Sequence, residues 1–303
     1  MRTLVLVTLI GCSQPQTAAR DASAITNDAA PDAAAGDSAP MMSGDLLRFV
    51  VFGDARPTLP DDAAGYPSAT VKAIFDAAAM QGAQFVVGTG DYMMAITQAG
   101  ADAQVQALKS AAAAFHEPIY LAMGNHECQT RDKSNCPKGD ESPNMKAFVK
   151  GLLPAGVTTP WYRIDVATPH GRAKLIFVAP NAWSPAQAAW LAQQAADPTA
   201  YTFIVRHQPS DDTDAPGVVE SDQILAGKPL TVGFYGHHHY YERTDVQHVV
   251  VGNGGAALTR ASFYGYLFVE QRFDGTLTLT AFEVPMGMAR DTWRVTAAGK
   301  PAP

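Results

Sequence analysis

Three histidines stand in a row in this chain. Gly236-His237-His238-His239 follows the apolar run Leu230 to Tyr235, which has the length and composition of a buried strand. His237 and His239 lie two apart where a strand gives way to a loop, so both imidazoles can turn toward one place. Neutral imidazole is a common ligand for divalent metals. Other ligand types occupy similar positions. Leu46–Phe52 runs into Gly53-Asp54-Ala55-Arg56, and Gln84–Val87 runs into Gly88-Thr89-Gly90-Asp91. Glu117–Met123 ends in Gly124-Asn125-His126-Glu127, and Tyr201–Val205 ends in Arg206-His207-Gln208-Pro209. Carboxylates, an amide and imidazoles at five strand ends are the donor set of a metal site.

The elements between these ends must bring them together. Residues 68–82 carry Val71, Ile74, Phe75 and Ala78 at helical spacing, with Ser68 as expected N-cap and Gly82 as stop. Residues 101–115 are Ala-rich and read as a second helix. Strands alternating with helices imply parallel pairing with helices on the faces, an α/β fold. Ligands in such sheets collect beyond the carboxyl ends of the strands. Further on, 143–151 reads as a helix, 161–166 and 173–179 as an antiparallel pair, and Ser184-Pro185 as a helix start. Three β-rich segments follow, and no pattern is visible after Pro285. Asp211, Asp212 and Asp214 read as a solvated loop rather than a Ca²⁺ site, and Glu242–Arg243 as an ion pair beneath the site.

The blocks resemble those of the calcineurin-like metallophosphoesterase superfamily, in its order, over about residues 46–284. Gly124-Asn125-His126-Glu127 and Gly236-His237-x-His239 are the most specific. Tyr241-Glu242-Arg243, Gly252-Asn253-Gly254-Gly255 and Ala261-Ser262-Phe263 are closest to the purple acid phosphatase branch. The resemblance implies a four-layer α/β/β/α sandwich and a dinuclear site. Asp54, Asp91 and His239 would hold one metal. Asp91, as the bridge, with Asn125, His207 and His237, would hold the other. The ions would be divalent or trivalent Mn, Fe, Zn or Co. A metal-activated hydroxide would attack a phosphomonoester or phosphodiester, with His126 assisting and Glu127 orienting His126. Two departures stand out. Arg56 replaces the histidine that most of the superfamily carries there, and Met94 replaces the tyrosine that colours purple acid phosphatases. Arg56 could grip the substrate phosphate. It also leaves open a single-metal phosphoesterase, or a degenerate protein that binds a phosphorylated ligand without hydrolysing it.

The N-terminus reads separately. Arg2, the apolar stretch Leu4 to Ile10 and Gly11-Cys12 form a secretory signal, and Leu9-Ile10-Gly11-Cys12 resembles a bacterial lipoprotein signal with Cys12 as lipidated residue. Ser13 after the cysteine favours the outer membrane. Residues 12–43 are rich in Ala, Asp, Ser and Pro and cannot bury enough surface to order, so a flexible tether is expected. The expected organisation is a signal at 1–11, a tether at 12–43, the phosphoesterase domain at 44–285 and a tail at 286–303. Export leaves Cys128 and Cys136 to pair in a disulfide or to remain two thiols. The 303 residues suffice for one large domain, and a net charge of −7 without a basic run argues against a nucleic-acid partner. The expected partners are a phosphorylated small molecule or envelope substrate, and the membrane through Cys12.

Overall fold

Strands covered on both faces need apolar side chains at every position. Residues 49–52 show this: Phe49 and Val51 face one core, Val50 and Phe52 another, and all four are buried. The protein is described by a computed structural model covering residues 45–128, 136 and 142–303. Its elements run β1 (Arg48–Phe52), α1 (Ser68–Met80), β2 (Phe85–Gly88), α2 (Gln98–Ala111), β3 (Ile119–Leu121), α3 (Asn125–Cys128) and α4 (Pro143–Gly151). Then come β4 (Tyr162–Thr168), β5 (Gly171–Val178), α5 (Pro185–Ala196), β6 (Tyr201–Arg206), α6 (Gly217–Leu225) and β7 (Val232–Tyr235). The chain ends with β8 (Tyr241–Arg243), β9 (His248–Val251), β10 (Gly265–Gln271), β11 (Leu277–Glu283) and β12 (Met288–Val295). The expected signal at 1–11, the tether at 12–43 and Cys12 lie outside the described residues.

Two six-stranded sheets result, ordered β12-β11-β10-β1-β2-β3 and β4-β5-β6-β7-β9-β8. β1, β2 and β3 are parallel, and so are β5, β6, β7 and β9. The sheets pack face to face through Phe49, Phe85, Phe203 and Phe234, with Phe49 stacked on Phe85 at 5.0 Å. Helices α1, α2 and α4 cover the outer face of the first sheet, and Leu191 of α5 meets Ile176, Val178 and Ile204 on the outer face of the second. The expected four-layer α/β/β/α sandwich is what forms.

Local chemistry explains most boundaries. Ser142 and Ser184 cap α4 and α5, accepting from Met145 N at 3.0 Å and Gln187 N at 3.2 Å. Helix α1 ends at a left-handed Gly82 (φ +63°), but Ser68 is its first helical residue rather than its cap. Helix α2 starts three residues earlier than expected, because the Thr97 hydroxyl accepts from Gly100 N. Cys128 and Cys136 form a disulfide.

Three expectations are corrected by the packing. The segment set apart as a tail holds β12, which pairs with β11 along its length. Its Trp293 and Val295 enter the core between the sheets. Asp291 accepts from Tyr241 Oη at 2.9 Å and from Arg243 Nε at 2.7 Å, tying edge strand β12 to edge strand β8 of the other sheet. Arg243 therefore pairs with Asp291, and Glu242 with Arg260 at 3.0 Å, rather than with each other. Lastly, Glu127 does not hold the His126 ring. Its buried carboxylate accepts three backbone N–H groups: Gly124 at 2.7 Å, Asp91 at 2.9 Å and Tyr92 at 2.7 Å. It clamps the loop after β2 to the loop after β3.

Trp293→Ala should cost about 3–5 kcal/mol, as large-to-small changes in a core do, read as a lower urea midpoint. Glu127→Gln should cost about 1–3 kcal/mol, because an amide cannot accept all three N–H groups and its own NH₂ faces donors. A melting temperature equal to wild type in Glu127→Gln would show that the clamp contributes nothing.

Candidate metal centre

Three of the five strand ends deliver their side chains by a sharp turn. Among the described residues only four non-glycine residues have positive φ, and three are Asp54 (+55°), Asp91 (+60°) and His237 (+69°). Such backbone costs of order 1–3 kcal/mol per residue and persists only where the surroundings enforce it. Here it turns the side chains into the seam between the sheets. His237 N donates to Asp54 Oδ2 at 3.0 Å, and His126 N to Asp91 Oδ1 at 3.0 Å. Gly236 must lack a side chain, since a Cβ there would lie 2.6 Å from Asp54 Oδ2.

On one side of the seam, Asn125 Oδ1 lies 3.0 Å from both His207 Nε2 and His237 Nδ1. His207 Nε2 is also 3.2 Å from His237 Nδ1 and 3.3 Å from Asp91 Oδ1. The outer ring nitrogens fix the tautomers. His207 Nδ1 faces Thr89 O at 2.9 Å, and His237 Nε2 faces Asp212 Oδ2 at 2.8 Å. Both protons are thus held outside, and two imidazole lone pairs, an amide oxygen and a carboxylate oxygen converge. That arrangement is repulsive unless a cation or a proton sits among them. The donors fit a divalent metal of the oxygen- and nitrogen-binding kind.

On the other side, Asp54, Asp91 and His239 offer ligand atoms within 4.8 Å of one another. His239 Nδ1 is held by Ala257 O at 2.9 Å, which leaves Nε2 facing inward. Asp54 is wholly buried and its Oδ1 has no hydrogen-bond partner, an orphan that a cation would satisfy. Arg56 reaches the same place. Its Nε is 3.4 Å from Asp91 Oδ2, its Nη2 is 3.4 Å from His239 Nε2, and its Nη1 donates to Met94 Sδ at 3.3 Å. Tyr92 turns away: its hydroxyl accepts from Gly90 N, and its ring stacks on Phe148.

Burial and mutual charge set the protonation. Burial pushes Asp54 well above the usual carboxylate range, and the neighbouring Asp91 adds to this. Burial opposes ionisation of Asp91 as well, but His207, His126 and Arg56 outweigh it and hold the carboxylate well below its usual range. Burial disfavours charge on His207, yet Asp91, Asp54 and Glu127 raise it to about 9. The seam therefore attracts positive charge, and a metal would compete with that proton. Burial, with His207 nearby, lowers His237 to about 4, and burial lowers His126 to about 4. Both are neutral at pH 7. Burial, then the Asp91 charge, pushes Glu127 up to about 7 against its three N–H donors.

All of the anticipated metal-side residues thus lie around one seam, with the His126 ring 3.8 Å from Asp91 Oδ2. Sequence reasoning missed Asp212, which was read as solvated loop, and the carbonyls of Thr89 and Ala257. Asp212 follows His207 by five residues on the same loop, the one signal that could have marked it. Asn144 was missed too; its Nδ2 donates to His126 O at 2.7 Å.

Residues 47–241 match the family described as calcineurin-like phosphoesterase. No curated protein matches the sequence. Among solved structures, a purple acid phosphatase from yellow lupin (Lupinus luteus) seeds is similar at TM-score 0.63 and 16% identity, over 86% of this chain and 55% of that one. The chain thus spans about half the length of the lupin enzyme. A dimetal phosphatase from Danio rerio is similar at TM-score 0.57 and 12% identity, over 84% and 99% of the two chains. GAP50, described as the anchor in the inner membrane complex of Plasmodium, is similar at 0.57 and 13%, over 83% and 89%. At these identities the structures speak for the fold alone, while the family match spans well over half of the sequence. The chain therefore belongs to the calcineurin-like phosphoesterase family.

Proposed function

We propose that this protein hydrolyses a phosphomonoester or phosphodiester at a dinuclear metal site in the seam between the sheets. The observation that carries this is the convergence of Asn125 Oδ1, His207 Nε2, His237 Nδ1 and Asp91 Oδ1, with the imidazole protons held on the outside. These four would hold one ion; Asp54, Asp91 and His239 would hold the other, with Asp91 shared. When bound, such ions polarise a phosphoryl oxygen and lower the pKa of water. The chain supplies the rest. His126, neutral and largely enclosed, presents an N–H beside Asp91 that can bind a phosphoryl or leaving-group oxygen. Arg56 adds a fixed positive charge where the anionic phosphate would come.

A second reading has its own observation. The Arg56 guanidinium already contacts Asp91 and His239, so it favours a chain that holds one ion on the Asn125 side. Metal content of the purified protein decides. Two ions per chain establish the dinuclear form; one ion, rising to two in Arg56→His, establishes the other. No uptake and no turnover of p-nitrophenyl phosphate or its bis ester, with Mn²⁺, Zn²⁺ or Fe²⁺ supplied, would overturn both. His126→Ala should lower kcat by about 10²–10⁴ with metal content unchanged, the range for loss of a proton-handling group. Asp91→Asn should lose metal and turnover together.

The lipid anchor at Cys12, with outer-membrane placement, is part of the same proposal and is supported by Leu9-Ile10-Gly11-Cys12 and the polar stretch after it. Palmitate labelling of the expressed protein should be lost in Cys12→Ser. Equal labelling of the two proteins would remove this part of the reading.

A further inference from the structure

The three inward-facing imidazoles are not held alike. His207 and His239 lean on backbone carbonyls, Thr89 O and Ala257 O, both at 2.9 Å. His237 sits on left-handed backbone and is turned the other way round, with Nδ1 toward Asn125. Its Nε2 meets a carboxylate instead, Asp212 Oδ2 at 2.8 Å.

We propose that Asp212 is a positioning residue of the metal centre: it accepts the Nε2–H of His237, fixes that tautomer and makes Nδ1 a stronger donor. The proposal rests on the metal-dependent reading above. A carboxylate behind a ligating imidazole orients the ring and raises its basicity. The contact is sheltered, the Asp212 side chain being only 16% exposed. Its other oxygen is turned back into the loop, where Oδ1 accepts from Asp214 N at 3.1 Å, and Asp212 N donates to Pro209 O at 3.2 Å.

The loop is itself anchored from below. Arg206, wholly buried beside His207, donates from Nε to Gln208 O at 2.8 Å and from Nη2 to Ser210 Oγ at 3.0 Å. Its Nη1 is held by Asp222 at 2.6 Å and Ser221 at 2.8 Å. One short stretch thus carries a ligand, His207, and the support for a second ligand from the next strand. His238 does not compete for the carboxylate. Its Nε2 is 3.8 Å from Asp212 Oδ2, beyond hydrogen-bond reach, and its Nδ1 is 2.8 Å from Tyr240 Oη.

The test is metal affinity, read without turnover. Mn²⁺ or Zn²⁺ is titrated into the metal-free protein against a competing chelator, and the melting temperature of the metal-free form is recorded. Asp212→Ala should weaken binding of one ion by about 10–100-fold, the range for losing such a support. Its metal-free melting temperature should stay near wild type. Asp212→Asn keeps an acceptor oxygen and should fall between the two, while Asp211→Ala, an exposed neighbour, should bind as wild type. Wild-type affinity in Asp212→Ala overturns the proposal. So does an equal loss in Asp211→Ala, which would trace the effect to loop charge. If Asp212→Ala does not fold, Asp212→Asn decides: a severalfold loss supports the contact and none overturns it. A wild-type protein that takes up no metal would overturn the metal-dependent reading itself, an outcome distinct from every variant result.

Discussion

The seam between the two sheets collects groups that repel one another. Asp54 and Asp91 are buried carboxylates, and Asn125 Oδ1, His207 Nε2 and His237 Nδ1 point lone pairs at the same space. Bringing such groups together away from water costs several kcal/mol per ion unless opposite charge arrives. Much of the local structure can be understood as holding them there. Three strained turns aim the side chains, and Glu127 binds the two loops that carry Asp91 and Asn125 through three N–H groups. The positive charge that offsets the crowding comes from Arg56, from a proton on His207, or from metal.

Much of the support crosses from one sheet to the other. His207 follows a strand of the second sheet, yet its ring is fixed by Thr89 from the first. His237 follows β7, yet its N–H is accepted by Asp54 beyond β1. Separation of the sheets therefore sets the geometry of the centre. That separation is a packing property: Phe49 stacks on Phe85 within its own sheet and meets Phe203 and Phe234 edge-on from the other. Close-packed aromatic interiors resist compression. The core thus does for the site what no single loop could do, holding donors from five strand ends within a few ångströms.

The strand-end motifs were legible because each follows an apolar run, four of the five with a glycine at the break, and runs buried on both faces are easily seen. β12 was not, since Met288-Ala289-Arg290-Asp291 is largely exposed on an edge strand and only Trp293 and Val295 reach the core. Helix α6 was missed as well: Val218 is buried while its neighbour Val219 is exposed, a pattern too short to show a period. The roles of Glu127 and Asp212 depend on which loops meet in space. Glu127 stands next to His126 in sequence, yet its carboxylate turns back under Asp91 and Tyr92. Adjacency suggested a partner that tertiary structure overruled.

The departures at Arg56 and Met94 look independent in the sequence, 38 residues apart, but in space they touch, Nη1 to Sδ at 3.3 Å. The two positions at which the resemblance leads one to expect a histidine and, in the purple acid phosphatase branch, a tyrosine are here filled by a cation and the thioether that packs against it. In the proposed dinuclear reading the two sites would be uneven. The Asn125 side keeps four donors, whereas the Asp54 side keeps three and faces a guanidinium. A thioether is a poor ligand for hard divalent ions, and a guanidinium is none at all. Arg56 also offsets part of the carboxylate charge that a second ion would otherwise neutralise. In that reading, an ion on the Asp54 side would have to overcome a missing donor and a fixed guanidinium charge, whereas one on the Asn125 side would have only to displace the proton of His207.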